Sequence, residues 1–147
     1  MINTLDKMAN TPYIAFADDD ADDQEMLADR FLEKHPGTLF KYFKDGQEIV
    51  RFLEKCPIPE LPLIIILDYK MPLLTGAEVL KALRGDSRYD AIHKIVWSTS
   101  GNHQYVAECL QNGAEKYFTK PNDIHELDGI VIHISSLFQS PAADTHP

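Results

Sequence analysis

Short apolar runs that stop abruptly at polar residues set the rhythm of this chain. Tyr13-Ile14-Ala15-Phe16-Ala17 ends at Asp18-Asp19-Asp20, Leu39 to Phe43 ends near Asp45-Gly46, and Leu63 to Leu67 ends at Asp68. Ile95-Val96-Trp97 then runs into Ser98-Thr99-Ser100, and Tyr117-Phe118-Thr119 into Lys120-Pro121. The uninterrupted, β-branched run Leu63 to Leu67 predicts a strand buried on both faces, and Tyr13 to Ala17 has the same design, because a strand with one wet face would alternate apolar and polar residues.

Between the runs the apolar period lengthens to that of a helix. Met26, Leu27, Phe31 and Leu32 give one apolar face, with Asp22 and Glu25 resembling a capping box at its start. Ile49, Val50, Phe52 and Leu53 give a second helix, ended by Pro57, Pro59 and Pro62. A third is predicted from about Ala77 to Arg84, stopping near Gly85, and residues 86–93 read as a polar loop. A fourth spans about His103 to Gln111 and closes with Asn112-Gly113. The last starts from Asn122 as N-cap and carries Leu127, Ile130, Val131, Ile134, Leu137 and Phe138 along one face.

Five strands alternating with five helices predict an α/β three-layer sandwich. Parallel neighbours need crossovers, and right-handed crossovers lay the helices over both faces of the sheet. Strand carboxyl ends then share one rim, which is where open parallel sheets bind ligands. That rim collects Asp18, Asp19 and Asp20 from the first strand, Asp68 from the third, Ser98 or Thr99 from the fourth and Lys120 from the fifth.

The chemistry of that set is specific. Carboxylates brought together repel and raise one another's pKa unless a cation neutralises them, and an all-oxygen donor set suits Mg²⁺. A carboxylate is also a nucleophile toward phosphorus, and the transfer needs positive charge on the equatorial oxygens and a hydrogen-bond donor beside them. Lys120 and Ser98 are of those types.

Composition narrows the class. A length of 147 residues suits one domain, expected over residues 12–138 between flexible tails at 1–11 and 139–147. Fourteen Lys and Arg against 23 Asp and Glu give a net charge of −9, which disfavours nucleic-acid binding. No apolar run approaches the roughly 20 residues of a membrane span and no signal peptide is evident, so a cytoplasmic protein is expected. Cys56 and Cys109 match no metal-ligand spacing and are read as reduced thiols without a role.

Over about residues 12–138 the chain resembles the receiver domains of two-component response regulators, the family of the chemotaxis receiver. The matching features are Asp18-Asp19, Asp68-x-x-Met71-Pro72 with Gly76, Ser98, and Lys120-Pro121. The resemblance implies a flavodoxin-like sheet in the order 2-1-3-4-5. It implies that Asp68 accepts a phosphoryl group from a sensor histidine kinase or a phosphotransfer protein. Asp18, Asp19, Asp68 and the backbone carbonyl of Lys70 would hold Mg²⁺, and Lys120 would act at the phosphoryl group. It also implies a switch formed by Ser98 and Tyr117, acting on the face of the fourth helix, fifth strand and fifth helix; if the register shifts by one, the hydroxyl is Thr99. A cis Lys120-Pro121 bond and homodimerisation around the fourth and fifth helices are further family traits.

The domain is therefore expected to be a phosphoacceptor and not an enzyme in its own right, phosphorylating itself from a donor and slowly losing the group. With little chain after the last helix, it is expected to stand alone and to signal through a downstream protein. A phosphorylation-independent interaction module is the alternative. An Asp-nucleophile phosphohydrolase fits less well, since such enzymes place a second Asp two residues after the first, where this chain has Lys70.

Two residues look individual. Lys70 brings a long cation close to Asp68, where it would shield an acyl phosphate from water. Trp97 precedes Ser98 and would report the site by fluorescence unless its side chain points into the core.

Overall fold

A computed structural model of the protein describes residues 11–139. The flexible tails expected at 1–11 and 139–147 fall, apart from Thr11 and Gln139, outside the described residues. The strands are β1 (Tyr13–Ala17), β2 (Leu39–Phe43), β3 (Ile64–Asp68), β4 (His93–Ser98) and β5 (Lys116–Thr119). The helices between and after them are α1 (Ala21–Lys34), α2 (Gly46–Lys55), α3 (Gly76–Leu83), α4 (His103–Gln111) and α5 (Ile124–Gln139). Every strand pairing is parallel, in the order β2-β1-β3-β4-β5, as the flavodoxin-like fold requires.

The uninterrupted apolar runs have the cause inferred for them. All residues of β1 and β3 are buried, because successive side chains point to opposite faces and both faces are covered. Ala15, Ala17, Ile65, Leu67 and Val96 pack with Ile49 and Leu53 of α2, Val79, Leu80 and Leu83 of α3, and Cys109 of α4. Ile14, Phe16, Ile64, Ile66, Ile95 and Trp97 pack on the other face with Leu27 and Phe31 of α1 and five apolar residues of α5. Each fully buried aliphatic here is worth about 1.5–3 kcal/mol relative to exposure, so the two central strands anchor both layers.

Helix starts are set by side-chain caps, and two differ from expectation. The cap of α1 is Asp20, whose Oδ1 accepts from the backbone N–H of Asp22 and Asp23 at 3.0 and 3.2 Å. Asp22 lies inside the first turn, because only three residues connect β1 to the helix and Asp20 is the one in extended geometry. At α5 the side chain of Asp123, not Asn122, accepts from Glu126 N at 2.8 Å. A full capping box does form elsewhere, between Thr75 and Glu78 at the start of α3.

The stretch 86–93 is less polar in space than in sequence. A short 3-10 turn at Ser87–Tyr89 tucks Tyr89 and Ile92 into the core. No helix among the described residues is long and apolar enough to cross a membrane.

Candidate functional site

The strand ends do converge. Asp18 follows β1 and Asp68 closes β3, both almost completely buried, while Asp19 points into solvent. One carboxylate oxygen from each of Asp18, Asp19 and Asp68 lies within 4.8 Å of the others, the only such acidic, His or Cys grouping of three among the described residues. Lys120, just after β5, places Nζ 3.0 Å from Asp18 Oδ2 and 3.4 Å from Asp68 Oδ2.

Local structure explains each position. Asp18 N donates to Phe43 O at 3.0 Å, continuing the β1–β2 ladder one residue past the strand, and Lys120 N donates to Ser98 O at 2.7 Å, tying the β5 exit to the end of β4. Gly76 N donates to Tyr69 O at 2.9 Å. A Cβ at Gly76 would lie 2.8 Å from the backbone oxygen of Asp68, so only glycine lets α3 start this close to the acidic loop. Between them Leu73 has φ 72°, an uncommon conformation for a side-chain-bearing residue, and Leu74 N closes a tight turn onto Pro72 O.

The electrostatics show a pocket short of positive charge. Burial, followed by the neighbouring Asp18 carboxylate, pushes Asp68 up to about 7, and Lys120 only partly offsets them. Burial by itself would lower the Lys120 value, but hydrogen bonds to Asp23 and Asp18 outweigh it and hold the ammonium above its usual range. The oxygen-only donors, their spacing and this residual negative charge fit a small hard divalent ion such as Mg²⁺.

Ser98 is fully buried at the end of β4, and its Oγ accepts from Ser100 N at 3.3 Å, whereas Thr99 is exposed. Tyr117 is half-buried, with its hydroxyl donating to Ser100 O at 2.6 Å, so Ser98 and Tyr117 both bear on the same β4–α4 turn. Lys70 is exposed, and its Nζ sits 5.8 Å from the centre of the Tyr105 ring, which itself stacks on Tyr69 at 4.1 Å. The Lys120-Pro121 bond is trans, as are all peptide bonds among the described residues, contrary to the cis bond expected from the resemblance. Trans is the lower-energy form of an X-Pro bond by roughly 0.5–1 kcal/mol, and here Lys120 reaches the acidic pocket from it.

Two participants were not assigned from sequence. Asp23, in the first turn of α1, lies 2.7 Å from Lys120 Nζ, closer than either Asp18 or Asp68. Its signal was present as the helical offset that returns it to the rim, but a run of five Asp within six residues concealed which one faces inward. The Trp97 side chain does point into the core, where the ring is fully buried, and its Nε1–H donates to Asp18 Oδ2 at 3.0 Å.

The chain is similar to known proteins in sequence and in fold. The response regulator receiver domain family matches residues 14–132, and the chain belongs to that family of phosphoacceptor signalling domains. Among curated relatives, the two-component response regulator ORR4 of Oryza sativa subsp. indica is 32% identical over 71 residues, covering 48% of this chain and 31% of the relative. The chain thus matches about a third of the length of these plant relatives. An uncharacterized 14.6 kDa protein of Leptolyngbya boryana is 27% identical over 118 residues, covering 80% of this chain and 86% of its own.

Among solved structures, the Francisella response regulator 1452 receiver domain superposes with a TM-score of 0.70 at 25% identity, covering 88% of this chain and 98% of that one. The phosphorylated cyanobacterial phytochrome response regulator RcpA shares the fold with a TM-score of 0.77 at 23% identity, covering 88% and 95%.

Proposed function

We propose that this receiver domain takes a phosphoryl group onto Asp68 from the phosphohistidine of a sensor kinase or phosphotransfer protein, and passes the signal on by altered contact with a downstream protein. The observation that carries the reading is the joint placement of Asp18, Asp19 and Lys120 around the Asp68 carboxylate.

In the reaction an Asp68 carboxylate oxygen attacks phosphorus, the P–N bond to the donor imidazole breaks, and an acyl phosphate forms. Asp18, Asp19, Asp68 and the Lys70 backbone carbonyl would hold the divalent ion, whose contribution is to neutralise charge on the transferring phosphoryl oxygens. Lys120 supplies its ammonium to the same oxygens after moving away from Asp23. Ser98 offers its hydroxyl to the phosphoryl group once Oγ turns from Ser100 N, and Tyr117 follows the movement of the turn that its hydroxyl holds.

Signalling then requires the phosphoryl group to interact better with one arrangement of that turn than with the other. Burial and the neighbouring Asp18 carboxylate favour the protonated Asp68 carboxyl, and a divalent ion held beside it would favour the ionised form that attacks phosphorus.

The test is intact mass after treatment with acetyl phosphate and Mg²⁺. A gain of one phosphoryl mass that is lost in Asp68→Ala and without Mg²⁺ is expected. An unmodified wild-type mass, or modification that survives Asp68→Ala, overturns the assignment.

A further inference from the structure

We propose that Trp97 is a positioning residue for the divalent cation: its indole N–H fixes the Asp18 carboxylate in the orientation that receives the ion. The inference rests on reading Asp18, Asp19 and Asp68 as the cation site.

Asp18 is pinned through both oxygens. Oδ1 accepts from Asp20 N at 2.9 Å, and Oδ2 accepts from Trp97 Nε1 at 3.0 Å while also facing Lys120 Nζ at 3.0 Å. The backbone N–H and the indole N–H are fixed donors, since one belongs to the β1–α1 connection and the other to a ring with no exposed surface. Lys120 is the flexible partner. Asp18 would thus be held in place for a cation, with Lys120 the side chain that would have to give way.

The bridge could not be made by an ordinary core residue. β3 separates β1 from β4, and adjacent strands are about 4.8 Å apart, so a donor on β4 has to span nearly two strand spacings to meet Asp18. Trp97 is in register with Asp68 on β3 and reaches past it beneath the pocket. Its ring is held edge-on to Phe16 of β1, with centroids 5.5 Å apart, which fixes the direction of the N–H. Phe or Leu would fill part of this volume but donate nothing.

The same ring touches the ion's competitor. Lys120 Nζ lies 5.3 Å from the Trp97 ring centroid, within cation–π range. Trp97 thus holds the acidic ligand by its edge and offers its face to the ammonium that has to give way. Partners of this kind, one bond removed from a metal, typically change affinity by roughly 10–100-fold when lost.

Trp97 is the sole tryptophan of the chain, so its N–H can be deleted without recloning the core. The full chain is produced with 3-benzothienylalanine replacing tryptophan, which exchanges the N–H for sulfur at nearly constant shape, and Trp97→Phe is prepared as a second variant. Mg²⁺ affinity is measured by titration calorimetry near neutral pH, with circular dichroism as the check on folding. A roughly tenfold or greater loss of Mg²⁺ affinity in a folded variant is expected. Affinity within about twofold of wild type, or tighter binding, overturns the proposal and leaves Trp97 a packing residue.

A measurement on the unaltered protein covers the case in which neither variant folds: the indole N–H resonance should shift during Mg²⁺ titration with the calorimetric affinity. An indole resonance that stays still while heat is released overturns the proposal and leaves the cation site standing. Absence of Mg²⁺ binding to the wild type removes the cation site itself, and this inference with it.

Discussion

Lys120 rests closer to Asp23 than to Asp68, at 2.7 against 3.4 Å, so the ammonium expected to serve the phosphoacceptor is held in part by a carboxylate of α1. Phosphorylation has to draw it away. Replacing Asp23 by Asn weakens that hold and also removes a negative charge from the path of an anionic donor. The expected result is faster phosphorylation by acetyl phosphate, roughly fivefold for about 1 kcal/mol of released pairing. Intact mass against time follows the reaction, and a slower rate in Asp23→Asn would mean that Asp23 assists the transfer.

Lys120→Met removes the cation that pairs with Asp18, Asp23 and Asp68. Buried carboxylates left unpaired cost about 3 kcal/mol of stability in the metal-free protein. Mg²⁺ should restore most of it. Urea denaturation with and without Mg²⁺ gives the comparison, and equal midpoints for variant and wild type in both conditions would contradict the pairing.

Acid sensitivity is expected at the far end of β4 and β5. Burial first, then Lys116, lower the proton affinity of His133, with His93 adding to the effect and Glu115 opposing it. Its ring meets Phe118 edge-on, and its buried Nε2 has no hydrogen-bond partner among the described residues. The folded protein therefore binds fewer protons here than the unfolded chain, whose His titrates near 6.5. This contribution to stability is present above about pH 6.5 and is lost as pH falls through the lower folded value. Thermal melts between roughly pH 7 and pH 5 should show a shallower decline in His133→Phe than in wild type.

Lys70→Asn should shorten the life of the phosphorylated form. The Lys70 ammonium lies 5.8 Å from the centre of the Tyr105 ring, two residues along the chain from Asp68, and its expected role is to shield an acyl phosphate there from water. A cation–π contact of about 0.5–1 kcal/mol limits the effect to roughly two- to fivefold. Decay of the phosphorylated mass measures it, and an unchanged half-life would dismiss the shielding role.

Gly76→Ala forces a Cβ to within 2.8 Å of Asp68 O, so either α3 or the acidic loop has to shift. A loss of about 1–3 kcal/mol in chemical denaturation is expected, together with slower phosphorylation. A neutral substitution would show that the close approach is slack.

Where the sequence was legible, one physical constraint dominated each choice. A strand buried on both faces leaves little freedom in composition, which is why β1 and β3 announced themselves and the sheet order followed from the resemblance. The rim residues Asp18, Asp68 and Lys120 were legible because they terminate those runs. Caps and partners were less so, since several chemically equal residues competed. Asp20 took the cap from Asp22 through backbone geometry, Asp23 met Lys120 through helical phase, and Asp123 displaced Asn122 by a single position. Trp97 was ambiguous because core packing and site contact look alike in sequence; only the direction of one N–H separates them.

The lysine lodged among these acids gives the domain a resident counter-ion. On the reading that the acidic cluster takes magnesium, the repulsion among Asp18, Asp23 and Asp68 in the ion's absence is answered from within, and depletion should silence the protein without dismantling it. Readmitting the ion would then call for the swing of one side chain and not for refolding.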